Sequence, residues 1–188
     1  MNKVETRFKS LMLISFVMVI INVMVGALLT LYLDFSSKIV AVIIGTVILL
    51  QGMFYFIRYL YDGLGKKVFA IDLIMAVVDI VLGVFTVFFP FESVGHVGIV
   101  FGLHLIGNSV EKLYYAYKLR NKQDPSYPLL VVIGLLLILM GVFAMFNPFK
   151  AFILSSKLSG LFMLCAGVFE GMICKLFFDK TDTMLKLF

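Results

Sequence analysis

Apolar residues fall in six long stretches, at about 10–33, 39–61, 68–90, 94–117, 127–147 and 151–178, separated by short polar segments. At 1.5 Å per residue each stretch reaches across a hydrocarbon layer about 30 Å thick. Backbone amides there must be satisfied within the segment, so each stretch is expected to be a membrane-spanning helix. The links alternate in length: DFSSK, FES and NPFK are tight, whereas YDGLGKK and KLRNKQDPSYP are longer and polar, the second with two prolines. That alternation predicts three tight antiparallel hairpins, pairing spans one and two, three and four, and five and six. The opening MNKVETRFKS is basic, as in a signal peptide, but the apolar run from Leu11 to Leu33 is too long for a signal core and lacks a small-residue cleavage site. It is expected to stay as the first helix.

Composition agrees with this reading. Of 188 residues, 62% are apolar and 14% charged, against about 45–50% apolar in soluble domains, which excludes a water-soluble globule. The net charge of +5 does not point to nucleic acid, because the basic residues gather at the ends of apolar stretches, where they act as topology signals. Thirteen fall on one side: Lys3, Arg7, Lys9, Arg58, Lys66, Lys67, Lys112, Lys118, Arg120, Lys122, Lys175, Lys180 and Lys186. Lys38, Lys150 and Lys157 fall on the other. The positive-inside rule therefore predicts cytoplasmic termini and three external turns. Cys165 and Cys174 are nine residues apart in one helix and point to opposite faces, so they cannot pair with each other.

The chain repeats itself. Gly83 precedes Pro90 by seven residues in DIVLGVFTVFFP, as Gly141 precedes Pro148 in LILMGVFAMFNP; Gly26 and Leu33 keep the spacing without the proline. On the return helices, Gly45 and Gly52 of the first unit correspond to Gly160 and Gly167 of the third, with Asn108 aligned in place of Gly167 in the second. Tyr55, Glu111 and Glu170 align near the helix ends. The period is 57 to 58 residues, giving units at about 10–61, 68–117 and 127–178 within a single membrane domain, 1–188. The predicted fold is an all-α integral membrane protein of six transmembrane helices, three tandem hairpins in parallel repeat around a pseudo-threefold axis. Glycines seven apart keep a small stripe on one helix face and let backbones approach.

These residues resemble the HdeD-like family of bacterial membrane proteins, built from a short two-helix repeat of unknown function. The third unit, MGVFAMFNPFKAFILSSKLSGLFMLCAGVFEGM, is the most similar: a glycine, a proline at the outer turn and a Gly-rich return helix ending in an acid. The resemblance implies a six-helix protein of the bacterial inner membrane, in a family with one member associated with acid resistance, and no catalytic residues to carry over.

Ionisable groups inside a bilayer cost ~2.5–3.5 kcal/mol each on insertion scales and are functional candidates. They are Asp72, Asp79, His104, Glu111 and Glu170. Spans three and four turn near residues 91–92, so residues whose numbers sum to about 183 lie at equal depth. Asp79 then faces His104, and Asp72 faces Glu111 about two turns nearer the cytoplasm. One reading is a proton-responsive column centred on His104, since imidazole changes charge near neutral pH. The other is a neutral, hydrogen-bonded interior that holds helices together, with Asp79 bonded to His104, and Asp72 and Glu111 sharing a proton or balanced by Lys112 and the nearby interface; packing is also the role expected for Gln51 and Asn108. His96, at the outer turn, is expected to be solvated. No nucleotide-binding, zinc or hydrolase motif is present, and no nucleophile stands beside a base, so neither an enzyme nor a cofactor is expected. Two functions remain: a stress-associated protein or small transporter that responds to protonation, or a structural membrane protein that binds other membrane proteins or copies of itself.

Overall fold

The computed structural model describes residues 3–31, 37–62, 70–89, 94–121, 123–146 and 152–179. Six helices account for nearly all of them: α1 (Lys3–Leu31), α2 (Ser37–Asp62), α3 (Ala70–Phe88), α4 (Val94–Asn121), α5 (Tyr127–Phe146) and α6 (Phe152–Asp179). No strand occurs among the described residues. Five of the six are long and apolar enough to cross a membrane. The sixth, α4, is not, because His104, Asn108, Glu111 and Lys112 interrupt its apolar sequence; all four are buried inside the bundle. Pro90 and Pro148, with the three outer turns, lie outside the described residues, as do the surroundings of His96.

The helices pair differently from the expected hairpins. The close partners are α2 with α3, α4 with α5 and α1 with α6, while helices joined by the short links touch much less. A short link holds two helix ends near each other but does not choose the faces that pack; the small-residue stripes do. A Cβ at Gly26 would lie 2.7 Å from the Leu164 nitrogen and 2.8 Å from the Gly160 carbonyl oxygen. One at Gly83 would lie 2.6 Å from the Leu49 nitrogen, and one at Gly102 2.5 Å from the Gly141 carbonyl oxygen. Where the obstacle is backbone, no side chain fits, and dispersion between the helices replaces the hydrophobic drive that lipid cannot supply.

The three seams repeat one another. Gly52 lies against Asp79 and Ile80, and Gly167 lies against Asn22 and Val23, each 57 residues before its counterpart. Ser109 holds the matching place in the α4–α5 seam by spacing, its hydroxyl donating to the Ile106 carbonyl at 2.6 Å. Asn108, expected there, faces inward instead. Because α1 packs on α6, the six helices close into a ring, with the start of α1 and the end of α6 at the same end of the bundle. At that end α4 stops in a Schellman turn: the Asp124 N–H donates to the Leu119 carbonyl, the Gln123 N–H donates to the Arg120 carbonyl, and Gln123 takes φ 56°. The Asp124 carboxylate then accepts from the Ser126 N–H at 2.8 Å, starting α5. Outward faces are apolar and exposed, with Leu13, Ile74 and Leu139 among them, as a lipid-facing surface requires.

Candidate functional site

Facing inward at every seam are polar side chains from five of the six helices. α3 contributes Asp72 and Asp79, both fully buried. Their separation of seven residues puts both on the face turned toward α2 and α4. α4 contributes His104, Asn108, Glu111, Lys112 and Tyr115; α2 contributes Gln51, Tyr55 and Arg58; α1 contributes Asn22 and α6 contributes Glu170. The polar groups form one connected chain in two tiers.

In the deeper tier the Asp79 carboxylate Oδ1 lies 2.8 Å from His104 Nδ1, and the Asn108 amide Nδ2 lies 3.0 Å from His104 Nε2. The Tyr55 hydroxyl reaches the Asn108 carbonyl at 2.8 Å and Glu111 Oε2 at 3.0 Å. It has one proton and so donates to one of them at a time. The second oxygen of Asp79, Oδ2, is buried with no hydrogen-bond donor near it. The imidazole stacks on Phe101, ring centroids 6.4 Å apart.

In the tier nearer the chain termini, Arg58 grips Asp72 with two nitrogens of one edge, Nε to Oδ2 at 2.6 Å and Nη2 to Oδ1 at 3.1 Å, and the same Nη2 reaches Glu111 Oε1 at 3.0 Å. The phenols of Tyr55 and Tyr115 close around it, and its guanidinium lies 5.7 Å from the Phe54 ring centre. Lys112 pairs with the Glu111 carboxylate and stands 3.7 Å from Glu170 Oε1. Glu170 Oε2 accepts from the Asn22 amide at 3.4 Å, and that amide also lies 3.4 Å from Gln51 Oε1, which returns the chain to the deeper tier.

Two small cavities follow the chain, each about 20 Å³ and so with room for about one water. The deeper is lined by Asn22, Gln51, His104 and Asn108, with Ile48, Leu105 and Met163, one from each repeat, around it. The other is lined by Ser15, Arg58, Glu111 and Tyr115. Lys112 and Glu170 border both and stand between them.

Asp79 and His104 meet as their equal depth predicts. Asp72 and Glu111 share a depth but not a proton: Arg58 stands between them. Tyr55 bonds Glu111 directly, and Glu170 joins the same layer through Lys112. The 57- and 58-residue spacings make Lys112, not Glu111, the counterpart of Tyr55 and Glu170. Arg58 and Lys112 require a correction: both were counted among the thirteen topology charges, yet they are 6% and 4% exposed and serve as the counter-ions of the buried acids. The signal for Arg58 lay in its distance from the link after α2, since Arg58 and Asp72 lie seven residues either side of residue 65. Gln51 and Asn108, expected as packing donors, are members of the chain. Among the described residues no three His, Cys, Asp or Glu side chains converge as a metal site.

A family model described as a short repeat of unknown function (DUF308) matches residues 17–88, 74–143 and 132–185. The first match runs from α1 through α3 and the second from α3 through α5, so each takes in one close seam. No curated protein and no solved structure matches the chain.

Proposed function

We propose, from the premise that this chain belongs to the DUF308 family of short repeats, that it is a bacterial inner-membrane protein of acid or stress resistance, similar to HdeD, whose buried chain responds to protonation at His104. In this reading six helices cross the membrane around a pseudo-threefold axis, and both termini are cytoplasmic. Removing Arg58 and Lys112 from the charge count leaves eleven basic residues against three, the same orientation.

One observation carries the reading. Three buried acids, Asp72, Asp79 and Glu111, face two fixed bases, Arg58 and Lys112, and the acid left over, Asp79, touches the one imidazole buried among the described residues. An uncompensated charge in a dry interior is costly, and a proton on His104 offsets it.

The hydrogen bonds give that proton a consequence. With the ring neutral, Nδ1–H donates to Asp79, Nε2 accepts from Asn108, and the Asn108 carbonyl accepts from Tyr55. With the ring charged, both nitrogens are donors. Asn108 must then turn its amide, its NH₂ faces the Tyr55 oxygen, and the Tyr55 proton goes to Glu111. Protonation at His104 is thereby felt by the Glu111–Lys112–Glu170 group between the two cavities. An amide does not pass protons on, so the chain senses protonation rather than conducting it. The same reading makes the protein neither an enzyme nor a nucleic-acid binder, with lipid and other membrane proteins or copies of itself as its partners.

The test is survival of cells after acid challenge, alongside nitrogen NMR of the two histidines in purified protein. Asp79→Asn and His104→Gln should each cut survival about tenfold or more at unchanged protein level, and in the parent the His104 signals should differ between neutral and acidified samples. Survival equal to that of the parent in both variants would overturn the reading and favour a structural role, which the fully paired Arg58 tier otherwise suggests. Orientation is checked separately. In a variant lacking Cys165 and Cys174, single cysteines at 36, 93 and 150 should react with an impermeant thiol reagent in intact cells, and cysteines at 66 and 122 should not.

A further inference from the structure

The three seams are alike in their deep halves and unlike at the terminal end. Phe56 on α2 and Leu113 on α4 stand at corresponding places by the repeat spacing, and the third unit has Gly171 there. In the α4–α5 seam Leu113 fills the space over Gly134, where a Cβ would meet its side chain at 2.9 Å. In the α1–α6 seam the roles are reversed: Val19 stands where Gly134 does, and its methyl would lie 3.2 Å from a Cβ at Gly171. Beyond Val19, toward the chain termini, lies an open groove of about 330 Å³ lined by Met12, Leu13, Phe16, Gly171, Cys174 and Phe178, with Lys175 at its rim. The volume lies within the ~300–1,000 Å³ of small-molecule sites.

We propose that this groove is a binding site for one anionic phospholipid, its acyl chain lying between α1 and α6 and its phosphate at Lys175. The groove opens on the apolar outer surface of a membrane-spanning bundle, so an acyl chain reaches it without leaving the bilayer. From Gly171 to Phe178 it extends roughly 10 Å along α6, which suits a chain segment and not a compact solute. Lys175 is exposed one turn before α6 ends at Asp179, the level at which a lysine extends its ammonium to the headgroups. The sequence that opens the chain is basic, Lys3, Arg7 and Lys9 against Glu5 alone, which favours an anion. The other two seams have no lysine at this place, since Lys175 corresponds to Tyr117 and Leu60. The site is independent of the polar chain and of its proposed response to protons.

The experiment uses the full-length protein reconstituted into vesicles of phosphatidylcholine and phosphatidylglycerol at three to one. It is extracted in mild detergent, and retained lipid is counted per chain by native mass spectrometry. The parent should retain about one phosphatidylglycerol per chain, enriched at least fivefold over the vesicle ratio. Lys175→Gln should keep one lipid and lose the enrichment. Gly171→Leu, which restores the residue type of the second repeat, should retain none. Gly171→Ala, whose Cβ lies 3.2 Å from a Val19 methyl that can shift, serves if the leucine variant does not fold, and should lower retention. Lipid retained in the vesicle ratio by the parent, enrichment unchanged in Lys175→Gln, or a second copy of the chain cross-linking through this face in place of lipid would each overturn the proposal.

Discussion

Around Arg58, every charge has at least one partner of opposite sign: two guanidinium nitrogens hold Asp72, a third contact reaches Glu111, and Lys112 takes the other Glu111 oxygen. Around Asp79, one carboxylate oxygen meets His104 at 2.8 Å and the other meets no donor. Both tiers are buried to a similar degree, so exposure does not separate them; the number of partners per charge does. A group held from several sides has one arrangement. A group held from one side, through an imidazole that can gain a proton and an amide that can turn, has two. On the proposed reading the tier near the chain termini is structural and the deeper one responds to protons.

Arg58→Leu attacks the first half of that assignment and should have the largest effect. It leaves Asp72 and Glu111 without their common counter-ion, and breaking a buried pair in this way costs about 3–5 kcal/mol, measured as loss of resistance to denaturant in detergent. A loss below about 1 kcal/mol would mean that the tier is not structural. Next comes Gly52→Ala, whose new Cβ would lie 2.7 Å from the Ile80 nitrogen and 2.9 Å from Asp79 Cβ. It should cost about 1–3 kcal/mol and move Asp79 away from His104, abolishing the His104 NMR shift while Arg58 keeps Asp72.

The Asp79→Leu and His104→Leu cycle sharpens the second half. Each single change strands a polar partner, so each should cost more than the double change, with a coupling of about 0.6–1.7 kcal/mol as found for polar contacts between membrane helices. If the pair only holds helices together, the double variant should regain stability and acid survival alike. Under the proton-sensing reading, stability returns and survival does not. Tyr55→Phe should have the smallest effect on stability, about 0.5–1.5 kcal/mol. It removes the hydroxyl shared by Asn108 and Glu111, so the His104 NMR signals should respond to acid as in the parent while infrared bands of Glu111 no longer change with them.

The sequence discloses depth well and direction poorly. Asp79 and His104 could be matched because a tight turn makes two antiparallel helices read as one numbered ladder, and their shared level follows from 1.5 Å per residue. The same ladder put Asp72 opposite Glu111 correctly but could not show Arg58 between them, because Arg58 belongs to α2 and reaches α3 across a seam that link lengths hide. Glycine spacing marked which faces are small without saying which helix meets them; Gly26 finds Gly160, 134 residues away. Arg58 and Lys112 were misread for a physical reason. A basic residue near a helix end serves equally as a topology signal and as a counter-ion, and only the packing of the helix shows which way it faces.

The closing of α1 on α6 bears on how the chain is made. α1 leaves the ribosome well before its close partner α6, so Gly26 and Asn22 face lipid or a temporary neighbour until α6 has been inserted. The Asn22 contact with Glu170, 148 residues apart, is then among the last formed, and a chain cut short before α6 presents an open edge suited to recognition by a membrane protease. Since the ring has no privileged starting point, joining the two termini and opening the link between α3 and α4 yields a chain that begins at α4, ends at α3 and contains the same three seams.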